Sequence, residues 1–224
     1  MADLESLDEF CQAFTKPLLE RGKTVLVTTF TYTTNGRFDV EETKTNLGVL
    51  NKWILNQTGH QRSEHPLFSY AALGPQADIV IHVGKSAFGS DSIFERLYNR
   101  KAAFLHVGRP VSMGNTALHH VEHMCGATYR VHKGFKTEVF RGSNYVGTDY
   151  TAFLRRRDVP GENFAFNFTK ACDKIYEKGL IREIGSSKDL NNISMYSYDQ
   201  TLDFLKDLFY QDQRIFIQSD FMEY

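Results

Sequence analysis

The sequence predicts an α/β fold with a mostly parallel central sheet flanked by helices and an antiparallel addition in the second half. Two observations support this prediction. Up to about residue 125 of the 224, apolar strand-like runs alternate with segments of helical spacing, which is typical of parallel strands joined by helices. Beyond that point, extended runs follow one another around turn residues, which is typical of antiparallel strands. No shift in composition divides the chain, so residues 1–224 are predicted to form a single domain.

The elements of the first half follow from the spacing of apolar residues. Leu7, Phe10, Cys11 and Phe14 lie at helical intervals, and Pro17 is predicted to end or break that helix. The next predicted elements are a buried strand over 24–32, a loop over 34–39, a helix over 47–56, a strand over 77–84, a helix over 92–99, a strand over 101–108 and a helix over 116–125.

The second half has a different pattern. Residues 128–140 form two extended runs on either side of Lys133 and Gly134, which predicts a hairpin. The remaining predicted elements are a helix over 162–179, strands over 180–198 and a closing helix over 199–212.

The composition is that of an ordinary globular protein, with 42% hydrophobic and 24% charged residues. The formal net charge of −1 provides no long-range attraction to nucleic acid or to an anionic membrane surface, so neither is predicted as a partner. No apolar run approaches the roughly 20 residues that a membrane-spanning helix needs. The sequence is compatible with a homo-oligomer.

The cysteines indicate a reducing compartment. Cys11, Cys125 and Cys172 are odd in number and form no C-x-x-C motif, so they do not resemble a disulfide framework. The acidic start "MADLESLDEF" has no apolar core of a signal peptide. A cytoplasmic location is therefore predicted.

The segment "NTALHHVEHM" (115–124) is the densest cluster of titratable side chains. On a helix, Thr116, His119, Glu122 and His123 share one face, because residues three and four apart meet there. Histidine exchanges a proton near neutral pH, which makes His119 a candidate general base toward an amine or a hydroxyl. The alternative is a polar helix face without a catalytic role.

A metal site is a further alternative for the same segment. His119, Glu122 and His123 match the H-x-x-E-H motif of some zinc peptidases. Such a site also needs a ligand from a downstream helix, and the predicted helix over 162–179 offers no obvious one. Five-letter motifs also arise by chance, so no metal is predicted.

Three other polar stretches have structural interpretations at least as good as functional ones. Residues 62–74 suit a loop that leads into a short helix, although their polar side chains could line a pocket. Residues 85–94 suit a capped helix start, which can also hold an anion. The basic run 155–157 suits a solvated face, with phosphate binding as the alternative. The chain contains neither G-x-G-x-x-G nor G-x-S-x-G.

Four motifs occur in order between about residues 20 and 135. They are a strand ending in T-F-T followed by F-D, then R-S-x-H-P-x-x-S-x-x-A-x-G, then G-x-x-S-x-x-x-x-L, then N-T-x-L-H-x-x-E. Their order and spacing resemble those of the aminoglycoside 3-N-acetyltransferase family, the antibiotic N-acetyltransferases. The resemblance implies that family's fold and an acyltransferase that transfers acetyl directly from acetyl-CoA to an amine.

The same resemblance implies roles for residues at the matching positions. His119 would be the general base, Thr116 would lie beside the acetyl carbonyl or the base, and Glu122 would shape the site. Asp91, in the glycine loop, and His123 are predicted to contact the acceptor. The residues predicted to contact coenzyme A are Thr29, Phe30, Thr31, Arg62, Ser63 and Ser69.

The chain departs from the family at its start. It is predicted to lack the family's N-terminal strand with a His-Ser-Ser turn that helps to hold the pantetheine, which implies a trimmed start or a reduced coenzyme site. The glycine loop of the family often carries an acidic residue that supports the histidine, and Asp91 is the candidate here.

The sequence therefore predicts an acetyl-CoA-dependent N-acetyltransferase that acts on a small-molecule amine. The acceptor classes are amino sugars, nucleotide-linked sugars and aminoglycosides. A site for polycationic aminoglycosides should be strongly acidic, and the net charge of −1 favours a sugar amine instead. The alternatives are a zinc hydrolase and a family member that binds a ligand without catalysis.

Overall fold

The structure is a computed structural model that describes residues 6–157, 164–184 and 193–219. It confirms the mixed α/β class. Within these ranges the α-helices are α1 (Leu7–Glu20), α2 (Val49–Leu55), α3 (Ile93–Asn99), α4 (His119–Met124), α5 (Thr169–Glu177) and α6 (Tyr198–Gln211). Short 3-10 helices cover Ala77–Val80 and Thr116–Leu118. None of the helices in the described ranges is long and apolar enough to cross a membrane.

The strands are short and form several small sheets. In chain order they are β1 (Val25–Thr28), β2 (Asn35–Asp39), β3 (Gln61–Arg62), β4 (Tyr70–Leu73), β5 (Ala103–Val107), β6 (Arg130–Gly134), β7 (Lys136–Arg141), β8 (Asn144–Gly147), β9 (Thr151–Arg155), β10 (Phe164–Phe166), β11 (Ile181–Ile184), β12 (Ile193–Ser197) and β13 (Ile217–Ser219).

The chain divides into two compact units. The described part of the first unit consists of residues 6–93 and 134–152, and the second unit takes the described residues of 94–133 and 153–219. The first unit contains the sheets β1-β4-β3 and β2-β7-β8, and the second contains β11-β12-β5 and β10-β13. A further pair joins β6 and β9. The single domain over 1–224 stays a prediction.

In the first unit, β1 packs its apolar face against the helices. Val25 and Val27 are buried together with Ile54 of α2 and Ala71 of β4. The antiparallel ladder between β1 and β4 continues beyond its last pair, because Thr29 N–H donates to Ser69 O at 2.8 Å. This register brings the T-F-T end of the strand beside the segment that begins at Arg62.

In the second unit, an aromatic stack holds α4 against the sheet. The rings of Phe104 on β5 and Tyr198 at the start of α6 stack with centroids 4.3 Å apart. The Tyr198 hydroxyl contacts His120 Nδ1 at 3.1 Å and the Ala117 carbonyl at 3.3 Å. The segment that carries His119 is thereby fixed from its buried side.

The predicted parallel central sheet is not what the described residues form. Among the strand ladders whose register is described, only β2 with β7 is parallel. Of the three segments predicted as its strands, β1 pairs antiparallel with β4, β5 pairs antiparallel with β12, and the segment 77–84 begins as the 3-10 helix Ala77–Val80 instead of a strand. An apolar run of this length fits either state, since periodicity does not separate a short buried strand from a short helix.

Two predictions for loops and hairpins were also wrong. Residues 34–39 are not a loop, because β2 pairs in parallel with β7. The two runs of 128–140 do not form a hairpin, because β6 pairs with β9 while β7 pairs with β2 and β8. In both cases a partner distant in sequence determines the pairing.

The predictions for helices agree with the structure better than those for strands and loops. The helices over 7–14, 47–56, 92–99, 116–125 and 199–212 are confirmed with shifted ends. Pro17 lies inside α1, which continues to Glu20. The predicted helix over 162–179 begins only at Thr169, after β10, and its first two residues lie outside the described ranges. Of the predicted strands over 180–198, residues 185–192 lie outside them as well.

Candidate active site

The helix α4 is short and its end is defined by a glycine. Gly126 has φ +67, and its N–H donates to His123 O while the N–H of Ala127 donates to Glu122 O. This is the Schellman arrangement, in which a residue with positive φ closes the helix. It turns the chain directly toward Tyr129 and Arg130.

Three side chains of the second unit converge at one point. His119 Nδ1 and Glu122 Oε2 are joined by a short hydrogen bond across one helical turn. Arg130 Nη1 donates to the same oxygen at 2.8 Å and lies 3.0 Å from His119 Nδ1. The Glu122 side chain is fully buried, and that of His119 is 12% exposed. The predicted sharing of a helix face by His119 and Glu122 is confirmed.

Aromatic rings enclose this cluster. The His119 ring lies 4.5 Å from the ring of Phe166 and 5.2 Å from that of Phe168, measured between centroids. Phe166 is itself 42% exposed. The guanidinium of Arg130 lies 5.2 Å from the Phe166 ring centroid. These contacts restrict the rotation of the imidazole and shield most of it from water.

The environment favours a neutral His119. Burial lowers the pKa of His119 below its usual value, the hydrogen bond and charge of Glu122 oppose this, and the charge of Arg130 lowers it further. Glu122 Oε2 accepts the N–H of Arg130, so the same oxygen is the acceptor toward His119 and Nδ1–H is the donor. The tautomer assigned in this way has its lone pair on Nε2.

The other two predicted site residues of this unit differ in their relation to His119. Thr116 is half-buried, and its carbonyl accepts the backbone N–H of His119, so it lies one turn before the base. His123 follows one turn later, and its ring packs against His132 and Phe153. Its pKa is lowered, mainly by burial.

In the first unit, Arg62 joins the two segments predicted to bind the coenzyme. Its guanidinium donates from Nε to Thr29 Oγ1 at 3.2 Å and from Nη2 to Thr29 O at 3.0 Å and Ser69 Oγ at 3.3 Å. Nη1 donates to the carbonyls of Val40 and Thr43. All five N–H groups of a guanidinium thus have partners inside the protein. Burial lowers the pKa of Arg62 to about 10.

The remaining predicted coenzyme contacts surround this arginine. Ser63 is buried and its hydroxyl accepts the N–H of Tyr70 at 2.8 Å. Phe30 is buried with its ring 5.1 Å from that of Phe68. Thr31 is half-buried and donates to Pro66 O at 2.6 Å. Most of these side chains therefore lie beneath the surface.

Among the residues around Arg62, the ones that reach the protein surface lie at the end of the T-F-T strand. Tyr32 follows Thr31, is 58% exposed and has φ +53, so the chain turns outward there. Thr33 Oγ1 donates to Thr31 Oγ1 at 3.0 Å. A run of hydroxyls beside an exposed ring fits a long polar ligand such as coenzyme A. Tyr32 was not predicted, and its only sequence signal was its place next to the motif.

Asp91 lies in the same unit, on the surface. It is exposed and has φ +58, and its carbonyl accepts the N–H of Gly84 at 2.8 Å. Its role toward an acceptor stays a prediction. Within the described ranges, no group of three or more His, Cys, Asp or Glu side chains is arranged to hold a metal ion.

Comparison with known proteins gives a family and a fold. The family model of the aminoglycoside 3-N-acetyltransferases matches residues 8–202. A search of curated proteins gives no match.

Several solved structures, including the following three, have a fold similar to that of this chain. AAC-IIIb in a binary complex with CoASH is 18% identical, with a TM-score of 0.73 over 93% of this chain and 84% of that one. The YokD protein from Bacillus subtilis is 15% identical, with a TM-score of 0.71 over 93% and 87%. AAC-VIa bound to sisomicin is 17% identical, with a TM-score of 0.66 over 91% and 85%.

Proposed function

The chain belongs to the aminoglycoside 3-N-acetyltransferase family, and we propose that it transfers acetyl directly to a primary amine with His119 as the general base. Members of this family are CoA-dependent N-acetyltransferases, so the chain is an enzyme whose acetyl donor is acetyl-CoA. The observation that carries the assignment of the base is the hydrogen bond between His119 Nδ1 and Glu122.

The geometry suits proton abstraction at Nε2. When His119 accepts the proton of the attacking amine, the positive charge that develops on the imidazole is stabilised by the Glu122 carboxylate. The same carboxylate holds the ring in the Nδ1–H tautomer, which leaves Nε2 as the acceptor. A neutral base near pH 7 is what general base catalysis requires.

Acetyl-CoA supplies an activated thioester carbonyl. The amine nitrogen forms the new bond to the carbonyl carbon as the carbon–sulfur bond breaks, and the amine proton passes to His119 Nε2. His119 can then return that proton to the departing thiolate. We assign the Thr116 hydroxyl, one turn before the base, to the oxygen that becomes negative during this step.

We assign coenzyme binding to the first unit. Thr31, with Tyr32 beside it, is the part of the T-F-T strand end that a ligand can reach. Thr29, Phe30, Ser63 and Ser69 would support this surface from below. Arg62 would act through Thr29 and Ser69, because its N–H groups already bond to the protein.

The acceptor is an amine on a sugar: an amino sugar, a nucleotide-linked sugar or an aminoglycoside. AAC-VIa, a structure of similar fold, is bound to sisomicin, which supports the aminoglycoside class. The net charge of −1 offers little attraction to a polycation, which favours a sugar with fewer amines. We assign acceptor contacts to Asp91 and His123, and the cytoplasm as location because the cysteines are free.

The geometry favours this function over the two alternatives. A zinc hydrolase would need His119 and His123 to converge on one ion, but their rings pack against different partners, Phe166 and His132 respectively. A member without catalysis would have no need of a buried carboxylate paired with the histidine, since burying a charge is costly.

The test is acetyl transfer by the purified protein. Acetyl-CoA would be offered with neutral amino sugars, nucleotide-linked amino sugars and aminoglycosides, and both thiol release and acetylated product would be measured. Each acceptor has a matched control in which a hydroxyl replaces the amine. We expect amine-dependent release that persists with a chelator. Release with no acetylated amine in any class, or hydrolysis abolished by the chelator, would overturn the proposal.

A further inference from the structure

We propose that Arg130 is a positioning residue of this enzyme, which pairs with Glu122, holds its carboxylate in place and thereby orients the imidazole of His119 and opposes its positive charge. The proposal rests on the proposed role of His119 as the base. Arg130 does not belong to the N-T-x-L-H-x-x-E motif and is a neighbour of the base only through the fold.

The guanidinium of Arg130 is hydrogen-bonded on two opposite sides. Nε and Nη2 donate to the carbonyl of Phe153 on β9, at 3.0 and 2.6 Å. Nη1 on the opposite side donates to Glu122 Oε2. A planar group anchored by two bonds to a backbone carbonyl presents its remaining N–H in one direction. Arg130 therefore determines where the carboxylate oxygen lies, and hence how the imidazole is oriented.

The charge of Arg130 acts on the base in two ways. At 3.0 Å from Nδ1 it directly opposes the imidazolium form of His119. It also neutralises Glu122, which otherwise would stabilise that form more strongly. Both effects favour a base that is unprotonated at neutral pH, and the hydrogen bond to Glu122 remains available when the proton arrives.

The other groups around α4 do not replace this charge. On α4 itself the titratable neighbours are His120 and His123, and next to Arg130 lies Tyr129, whose pKa is raised by burial and by Glu122. From β9, Arg155 stacks on Phe166 at 5.1 Å.

The positive charge of Lys206 on α6 acts to lower the pKa of His120 and that of Cys125. Lys206 itself pairs with Asp203. The segment from β10 to α5 contributes the rings of Phe166 and Phe168. The charges that shift the pKa of His119 are those of Glu122, which raises it, and Arg130, which lowers it.

Arg130 acts through other residues and not on the substrate. Its side chain is 2% exposed, so a ligand cannot reach the guanidinium without displacing the protein around it. A variant should therefore change kcat and the pH profile while leaving the KM for both substrates nearly unchanged.

The experiment is the pH dependence of kcat/KM for Arg130→Met. Without the cation, the His119–Glu122 pair keeps its shared proton to higher pH, so the acid limb should move up by roughly 1 to 3 pH units. Near neutral pH, kcat should fall roughly 10- to 100-fold. Arg155→Met is the matched control, since it removes a guanidinium from the same Phe166 ring, and its acid limb should stay at the wild-type position.

Arg130→Lys keeps the test valid if the Met variant does not fold. An ammonium retains the charge but cannot bond Phe153 O and Glu122 in the same geometry. We expect an acid limb near that of the wild type and a reduced kcat. A wild-type kcat for the lysine variant, or an unshifted acid limb for a folded Met variant, would overturn the proposal.

The His119→Ala background separates this proposal from the one on which it rests. If His119→Ala keeps wild-type activity, the proposed base is wrong. If His119→Ala retains only a small residual rate, and Arg130→Met lowers that residual rate by the same factor as it lowers the wild-type rate, Arg130 does not act through the base. We expect no further loss in the double variant.

Discussion

His119 and Glu122 lie one helical turn apart, and the imidazole Nδ1–H donates to a carboxylate that is fully buried. The pair needs no long-range packing to meet, because residues three apart on a helix are neighbours. What the fold adds is the burial and the arginine. These two features turn a common surface pair into one that can hold a neutral base.

The pH profile of the wild-type enzyme should have a low acid limb. Burial and Arg130 lower the pKa of His119 below its usual 6.5, so the base loses its proton before neutral pH is reached. We expect the midpoint of the acid limb of kcat/KM to lie below pH 6.5, measured from initial rates in buffers of constant ionic strength with an acceptor whose amine is unprotonated over this range. With that acceptor, a midpoint above pH 7 would contradict the assignment.

Glu122→Gln removes the negative charge of the side chain while keeping its size and its hydrogen-bond acceptor. The amide still accepts from His119 Nδ1–H, but it no longer stabilises the imidazolium, so kcat should fall by roughly 100-fold with little change in KM. It also leaves the Arg130 cation without its buried partner, which should cost about 3–5 kcal/mol of unfolding free energy.

The matched control for that variant is Glu177→Gln. Glu177 pairs with Lys174 on the surface of α5, and exposed pairs of this kind contribute less than about 1 kcal/mol. Urea unfolding and steady-state kinetics on both variants would check the prediction. Equal effects from the two changes would count against a special role for Glu122.

Arg62→Met should destabilise the protein strongly. The change removes the donors to the Val40 and Thr43 carbonyls as well as those to Thr29 and Ser69. Buried acceptors without partners cost about 1–3 kcal/mol each, so we expect a loss of about 3 kcal/mol or more.

Arg21→Met is the control for Arg62, because Arg21 is exposed and such changes stay within about 0.5 kcal/mol. Thermal unfolding compares the two. The affinity for coenzyme A should fall in the folded fraction of Arg62→Met only if Thr29 and Ser69 support the coenzyme site. A stability equal to that of Arg21→Met would show that the arginine does not join the two segments.

His65 should make the protein sensitive to acid. Its Nε2 contacts the carbonyl of Thr151 at 3.1 Å while Nδ1 accepts from Leu67 and Phe68, so the buried ring is neutral. Burial lowers its pKa from 6.5 to about 4. The folded state binds fewer protons than the unfolded state in this window, so its stability is complete above pH 6.5 and falls toward pH 4.

At about 1.4 kcal/mol per unit of pKa difference, the contribution of His65 is about 3 kcal/mol. Unfolding in urea at several pH values should show a shallower pH dependence for His65→Asn than for the wild type. His82→Asn is the control, since His82 is exposed and asparagine tolerates its positive φ. A wild-type slope for His65→Asn would contradict the prediction.

Local spacing was sufficient to predict the helical pair of the site. The contact between His119 and Glu122 depends only on helix geometry, and it follows once the segment 116–125 is taken as a helix. Arg130 was not predicted, because it lies on a strand after the Gly126 turn and reaches Glu122 through the fold. A single arginine in "TYRVHK" carries no signal of its own.

Strands were harder to predict than helices, since their partners are distant in sequence. Residues 34–39 looked like a loop, yet they pair with β7 a hundred residues later. The segment "FAFNF" was assigned to a helix, although its phenylalanines alternate with a period of two, as in a strand. That alternation was the available signal for β10 and for Phe166, which packs on the base.

The most direct test of the account is the rate of acetyl transfer by His119→Ala at saturating acetyl-CoA and acceptor, compared with His132→Ala as the control for an exposed histidine of the same unit. We predict that His119→Ala loses roughly 100- to 10,000-fold in kcat while both KM values and the melting temperature change little, and that His132→Ala keeps its rate. A kcat for His119→Ala within about tenfold of the wild type would contradict the assignment of His119 as the general base.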